Sequence, residues 1–213
     1  MPIYKGTTKI IKIYKGTTEI TNVYKGTQLY YSNGGGGDLP SRYKHAKYIC
    51  SGNQSPRDID TISFAFSTET DAFIVNAFIP TTINTTTTLF RCSIAVRFIC
   101  NSSNDTKIRF GVSDNTISTT RNAFISYKVD KNGVYENGVK TADIVYTIQT
   151  FTNTIRFGVS ANIKIKEGKI IRNGSELLYH FVAVYDTTSE QWGLYEKKTD
   201  TFYTNTGLTG ELE

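Results

Sequence analysis

Chemistry needs particular residue types at particular spacings, and this chain offers few of them. Two acid pairs stand at i, i+2: Glu69 with Asp71, and Asp58 with Asp60. On a strand, that spacing places both carboxylates on one face. Glycoside hydrolysis uses two carboxylates flanking the sugar, and on a sandwich strand the pattern runs i, i+2, i+4. Phe73 and Ile62 stand where the third acid belongs, so neither pair is expected to be catalytic. The G-x-S-x-G of a nucleophile elbow is absent. The glycines at 34–37 lack the Lys-Ser/Thr of a phosphate loop, and no G-x-G-x-x-G occurs. A D-x-D-x-D-G calcium loop is also missing. His45 and His180 have no helical H-x-x-x-H spacing, and the cysteines form no C-x-x-C pair. The expectation is therefore no enzyme, no catalytic residue, no metal and no cofactor. One residue stays open for binding: the lone tryptophan, Trp192, before Gly193-Leu194-Tyr195. It reads either as a platform on which a glycan stacks or as a core anchor, the commoner use.

The elements that would hold such residues are strands. From Asp38 onward the helical period fails, and threonine is abundant, as in Thr85-Thr86-Thr87-Thr88. Threonine is stiff at χ1 and favours strands. Short apolar or alternating runs recur at 59–66, 72–79, 89–100, 107–112, 123–129, 144–148, 154–159, 162–165, 177–185 and 192–196. Turn signals separate them, among them Ser113-Asp114-Asn115, Asn132-Gly133, Asn137-Gly138 and Asn173-Gly174. About ten to fourteen strands predict an all-β, two-sheet jelly-roll sandwich over residues 38–213. One hexamer echoes another: Ile108-Arg109-Phe110-Gly111-Val112-Ser113 and Ile155-Arg156-Phe157-Gly158-Val159-Ser160. Each reads as a core strand whose glycine breaks the pleat.

Residues 1–32 read as a separate β-repeat arm. Tyr4-Lys5-Gly6-Thr7-Thr8 recurs as Tyr14-Lys15-Gly16-Thr17-Thr18 and as Tyr24-Lys25-Gly26-Thr27-Gln28, a period of ten. The segments between copies read as strands of about six residues, and the Lys-Gly-Thr units as turns with glycine at positive φ. Alternation puts Ile10, Lys12 and Tyr14 on one face and Ile13 on the other, with Val23 equivalent to Ile13. Such a ribbon cannot bury both apolar faces by itself. It must dock on copies of itself, on a partner or on the following domain. Tyr4, Gly6, Ile13, Tyr14, Gly16, Val23, Tyr24 and Gly26 are the candidate assembly residues. Glycines 34–37 read as a linker at 33–37, or else as a loop within one domain.

Charge adds little. The chain of 213 residues has a net charge of +5, and the first 37 residues hold five lysines against one acid. A basic arm suits nucleic acid, but it contains no arginine, and lysines also blunt exposed strand edges. Neither a nucleic-acid partner nor a membrane span is expected, since no run of 18 apolar residues occurs. The N-terminal Met1-Pro2-Ile3-Tyr4-Lys5 has no apolar h-region, and Cys50, Cys92 and Cys100 are odd in number. Both features predict unpaired thiols in a protein made in a reducing cytoplasm.

Two stretches resemble a known family. Leu39-Pro40-Ser41-Arg42-Tyr43, then Tyr48-Ile49, Ser51-Gly52, Gln54 and Ile59-Asp60-Thr61, are similar to the opening of concanavalin A-like (laminin-G-like) sandwich domains of phage virion proteins. Gly168-Lys169-Ile170-Ile171-Arg172-Asn173-Gly174, then Tyr179-His180-Phe181-Val182-Ala183, Gly193-Leu194-Tyr195-Glu196 and Phe202-Tyr203-Thr204-Asn205, resemble its closing strands. Ala183 stands where the family commonly has proline, and Glu196 where it has aspartate. The Tyr-Lys-Gly-Thr repeats look like those at the start of phage fibre and tail proteins. The resemblance implies a head-fibre, tail-fibre or decoration protein made in the bacterial host cytoplasm and residing in the virion. It implies partners among capsid or tail proteins and a homo-oligomer, a trimer by analogy. The alternative is a lectin-like module for a host surface glycan. The family's motifs are structural and bring no catalytic residue.

Overall fold

The computed structural model describes residues 39–52, 57–83, 86–101, 106–160 and 162–213, and the backbone of six short strands between residues 3 and 32; the side chains at 58, 60–63 and 153 are outside the described set. The protein is all-β: every regular element among the described residues is a strand, and no helix there is long and apolar enough to cross a membrane. The chain divides into two compact units, Met1–Pro40 and Ser41–Glu213.

The first unit contains three hairpins. β1 (Ile3–Lys5) pairs with β2 (Thr8–Ile10), β3 (Ile13–Lys15) with β4 (Thr18–Ile20), and β5 (Asn22–Lys25) with β6 (Gln28–Ser32), all antiparallel. The first two share one register: Ile3 faces Ile10 as Ile13 faces Ile20. The third has an irregularity between Val23 and Tyr24. The six-residue strands expected between repeats are instead pairs of three- or four-residue strands that belong to successive hairpins. Each hairpin forms its own two-stranded sheet. Of the candidate assembly residues, Tyr4, Ile13, Tyr14, Val23 and Tyr24 stand in these strands, whereas Gly6, Gly16 and Gly26 lie outside the described residues.

The second unit is a sandwich of two antiparallel sheets. Its strands are β7 (Tyr43–Ser51), β8 (Arg57–Ser67), β9 (Asp71–Phe78), β10 (Thr87–Arg91), β11 (Val96–Cys100), β12 (Thr106–Phe110), β13 (Asp114–Ile117) and β14 (Phe124–Asp130). There follow β15 (Gly133–Glu136), β16 (Val139–Ala142), β17 (Thr150–Val159), β18 (Lys164–Arg172), β19 (Glu176–Asp186), β20 (Gln191–Glu196), β21 (Thr201–Thr204) and β22 (Leu208–Leu212). One sheet has the order β13-β12-β11-β10-β17-β8. The other runs β16-β15-β14-β9-β18-β7-β19-β20-β21, with β22 beside β7. β7 is a seam, bonded to β19 through Tyr43–His45, to β22 through Ala46–Ser51, and to β18 at Ile49.

Alternation builds the core. Val96, Phe98 and Cys100 on β11 are fully buried, as are Tyr127 and Val129 on β14. Rings from the two sheets meet between them: Phe73 stacks on Phe90 with centroids 4.2 Å apart, Phe98 lies 5.2 Å from Tyr127, and Phe157 lies 5.1 Å from Phe181. Burying each such ring is worth about 1.5–3 kcal/mol. The Tyr127 hydroxyl donates to the Thr120 carbonyl at 2.8 Å, so its polar end is satisfied inside the core. The two echoing hexamers are β12 and β17 with the residues after them, both in the six-stranded sheet, and Ile108, Phe110, Ile155 and Phe157 all face the core. Cys50, Cys92 and Cys100 are free and buried, and burial pushes the Cys92 and Cys100 thiols up to about 12.

Among the described residues of the sandwich sixteen strands form where about ten to fourteen were expected. Two apolar runs behave otherwise than their composition predicts. The run 89–100 is split by a turn at Cys92–Ala95, where the Ser93 hydroxyl accepts from the amides of Ala95 at 2.9 Å and Val96 at 3.2 Å. The run 144–148 is a surface loop, with Val145 64% and Ile148 67% exposed, joined to the sheet by an isolated bridge between Phe110 and Tyr146 and by bonds between Val145 and Asn115.

Candidate functional site

Antiparallel pairing collects two hairpin turns and the β8–β9 crossover between the sheets at one end of the larger sheet. β9 lies between β14 and β18, so its first residue, Asp71, stands opposite Arg172 at the end of β18. Phe73 stands opposite Val129 near the end of β14. The turns β8–β9, β14–β15 and β18–β19 therefore converge. Between them is a cleft of about 400 Å³, bordered by Glu69, Lys128, Asp130, Lys131, Asn132 and Asn173.

Asp71 is the keystone beneath it. The residue is 2% exposed. Its Oδ2 accepts from the Ser67 amide at 3.0 Å, and its Oδ1 accepts from the Thr70 hydroxyl at 3.0 Å and from Arg172 Nε at 3.3 Å. Arg172 also donates to the Ala65 carbonyl at 3.0 Å. One buried carboxylate thus closes the β8–β9 turn and ties it to β18. A buried ion pair of this kind is tolerated because its hydrogen bonds are filled on several sides.

The remaining ions of the cleft are also paired. Lys131 donates to Glu69 Oε1, and this bond raises the lysine's pKa. Lys128 lies 2.8 Å from Asp130 Oδ2, while Asp130 Oδ1 accepts from the Asn132 amide at 2.8 Å. Glu69 Oε2 is buried with no hydrogen-bond partner. At the third turn Asn173 and Gly174 both take positive φ, 50° and 76°, and the Ser175 amide donates to the Arg172 carbonyl at 3.2 Å. Asparagine and glycine are the residues for which that conformation costs least. The 144–148 loop runs beside the cleft: the Thr68 amide donates to the Gln149 carbonyl at 2.9 Å, and the Thr68 hydroxyl to the Thr147 carbonyl at 2.6 Å. That anchoring bonds Thr147, the neighbour of Tyr146, to Thr68, the neighbour of Glu69, and Tyr146 is 38% exposed. Among the described residues no group of three or more histidine, cysteine or acidic side chains could hold a metal ion.

No family model matches the chain, and no curated protein matches it. Among solved structures it is similar to Trypanosoma rangeli sialidase in complex with sialic acid, with 7% identity and a TM-score of 0.36. The match covers 72% of this chain and 33% of that one, so the chain spans about a third of that protein's length. A likeness this slight bears on neither site nor function.

Of the residues singled out from sequence, the Glu69/Asp71 pair reaches the cleft, with Asp71 buried beneath it. The side chains of Asp58 and Asp60 lie outside the described residues. Trp192 is half-buried near the far end of β19, where it pairs with Tyr185 and packs ring to ring at 4.8 Å. A Cβ on Gly210 would come within 2.5 Å of its ring. Lys128, Asp130, Lys131 and Asn173 were not singled out as a site. Their available signals were the Asn-Gly turns at 132 and 173, which mark hairpin tips but not which tips meet.

A second ionic cluster lies on β18 and β19. His180 Nε2 and Lys169 Nζ sit 2.5 Å and 2.7 Å from Glu167 Oε1. Burial pushes the Glu167 carboxyl up, and the bonds from His180 and Lys169 outweigh it, leaving a value of about 2. At the end of β19, Asp186 accepts from Arg42, from the Thr188 amide at 2.9 Å and from the Ser189 hydroxyl at 2.8 Å. Arg42 is the main cause that holds its carboxyl at about 2.

Proposed function

We propose that the protein is a structural component of a bacteriophage particle, a fibre or decoration protein whose N-terminal arm assembles or attaches and whose sandwich is displayed outward. The observation that carries this reading is the pairing in the arm. Each hairpin pairs only within itself among the described residues, and a lone two-stranded hairpin is marginal in water. Such a ribbon gains stability by burying its faces against copies of itself or a capsid or tail protein. The sandwich has its own core and needs no partner to fold. A closed homotrimer suits a repeat of this kind. The test is deletion of residues 1–33. The truncated chain is expected to be folded, monomeric by light scattering and absent from assembled particles. Normal oligomerisation and incorporation would overturn the reading.

A second reading, a module that binds a host surface glycan on the same particle, is favoured by one observation. The sandwich presents a polar cleft framed by three structured turns, a usual location for ligand recognition.

A further inference from the structure

We infer that the cleft between Glu69, Lys131 and Asn173 is a binding site for a neutral saccharide. This deepens the glycan reading above, which named no such site. Its size falls in the range of small-ligand sites, about 300–1,000 Å³. The walls are preformed: Asp71 closes the β8–β9 turn and ties it to the end of β18, Asp130 accepts from the Asn132 amide in the β14–β15 turn, and the β18–β19 turn holds both central residues at positive φ.

The charge pattern selects the ligand class. Every lining ion has an opposite partner: Lys131 with Glu69, Lys128 with Asp130, Arg172 with Asp71. An incoming anion or cation would meet, beside each opposite charge, a like charge a few ångströms away. A hydroxyl meets no such repulsion. It accepts from a lysine's remaining protons or donates to a carboxylate's remaining lone pairs. Dense, mutually neutralised donors and acceptors therefore suit a ligand bearing many hydroxyls and no net charge. The unpartnered Glu69 Oε2 adds an acceptor whose satisfaction would reward a small shift of that side chain. Tyr146 supplies the remaining requirement, an exposed aromatic ring on a loop pinned beside the cleft. Sugar rings stack their C–H faces on such rings.

The experiment uses the full-length chain on an array of neutral glycans, followed by amide chemical-shift titration with any glycan that binds. N-acetylglucosamine and lactose serve as soluble probes in any case, with inorganic phosphate and putrescine as charged ones. The expected result is shifts confined to the turns around residues 69–72, 128–132 and 173–174. Glu69→Gln and Tyr146→Ala should each weaken binding about tenfold. Glu190→Gln, at the far end of β19, should leave binding unchanged. Tyr146→Ala removes an exposed ring, so it keeps the test alive should Glu69→Gln disturb the turn. Glycan binding that is indifferent to both variants would sink the cleft and leave the glycan reading standing. No binding to any glycan or saccharide would sink both. Phosphate or putrescine shifting these amides at lower concentration than any saccharide would overturn the neutral class.

Discussion

Gly158 shows how little room the sandwich leaves for change at a single residue. A Cβ there would lie 2.0 Å from the Thr88 carbonyl oxygen, a backbone atom that cannot step aside. Gly158→Ala should cost about 2–3 kcal/mol by forcing β10 and β17 apart, read as a drop in the denaturation midpoint with unchanged slope. Asp186 supplies a residue-scale prediction about acid. Its carboxyl is held at about 2 in the folded protein, chiefly by Arg42, against about 3.9 in an unfolded chain. A depressed carboxylate contributes stability that is present above the unfolded value and is lost as pH falls through the folded one. Asp186→Asn should therefore lower stability by about 1–2 kcal/mol at pH 7. The deficit should shrink below pH 4 and vanish near pH 2. Thermal melts of both proteins across that window check it, and a constant deficit would refute the linkage. The thiols give a third measurement. Denatured protein without reductant should titrate about three free thiols per chain, while Cys92 and Cys100 in the native state should resist labelling at pH 8, since burial holds them protonated. A titration of one would mean a disulfide.

At the scale of elements, the sequence announces strands well where one face is polar and badly where it is not. β11 reads plainly, with Val96, Phe98 and Cys100 alternating with Arg97 and Ile99. The turn before it, Cys92-Ser93-Ile94-Ala95, lacks glycine, proline and asparagine, so nothing local marked the break. The Ser93 hydroxyl closes the turn together with the bond from the Cys92 amide to the Val96 carbonyl at 2.9 Å. Ser93→Ala should cost about 1 kcal/mol, or roughly 2–4 °C in melting temperature; no change would mean that the turn is set by the strands it joins. The 144–148 segment failed in the opposite sense. Its apolar composition suggests a strand, but Asn115 occupies the backbone of Val145, accepting from its amide at 2.8 Å and donating to its carbonyl at 3.2 Å. A side chain thirty positions away in sequence decides that these residues form a loop, and no local pattern carries that information. β12 and β17, by contrast, were legible as core strands from the Ile-x-Phe spacing alone.

For the whole molecule, the two-sheet sandwich was readable because alternation and turn signals fix class without fixing order. The cleft was not. Its ingredients are spread from Glu69 to Asn173, and they meet only because β9 pairs with β14 on one edge and β18 on the other. Sheet order is long-range, and a single sequence does not state it. The spacing of Glu69 and Asp71 puts both carboxylates on one strand face, without the third acid that catalysis on such a strand needs. The structure divides them by burial, giving one to the scaffold and the other to the surface. The deletion of residues 1–33 belongs to this scale as well, because it asks whether the sandwich is complete without the repeat.

The seam strand β7 has a mechanical meaning. It is the first strand after Pro40, so tension arriving along the backbone from that side reaches Tyr43 before any other strand. β7 is bonded along one stretch to β19 and along the next to β22. Because β22 runs antiparallel to β7, with Ala46 opposite Leu212 and Ser51 opposite Leu208, a load applied between Pro40 and the turn before β22 must shear a row of backbone bonds together, and resistance to shear is a property of the unfolding barrier rather than of equilibrium stability. Leu208–Leu212 then acts as a latch, the strand that seals the first strand of the sandwich. In a single-molecule pulling experiment between those two points, removing residues 208–213 should lower the rupture force of the sandwich far more than six residues' share of its core would suggest.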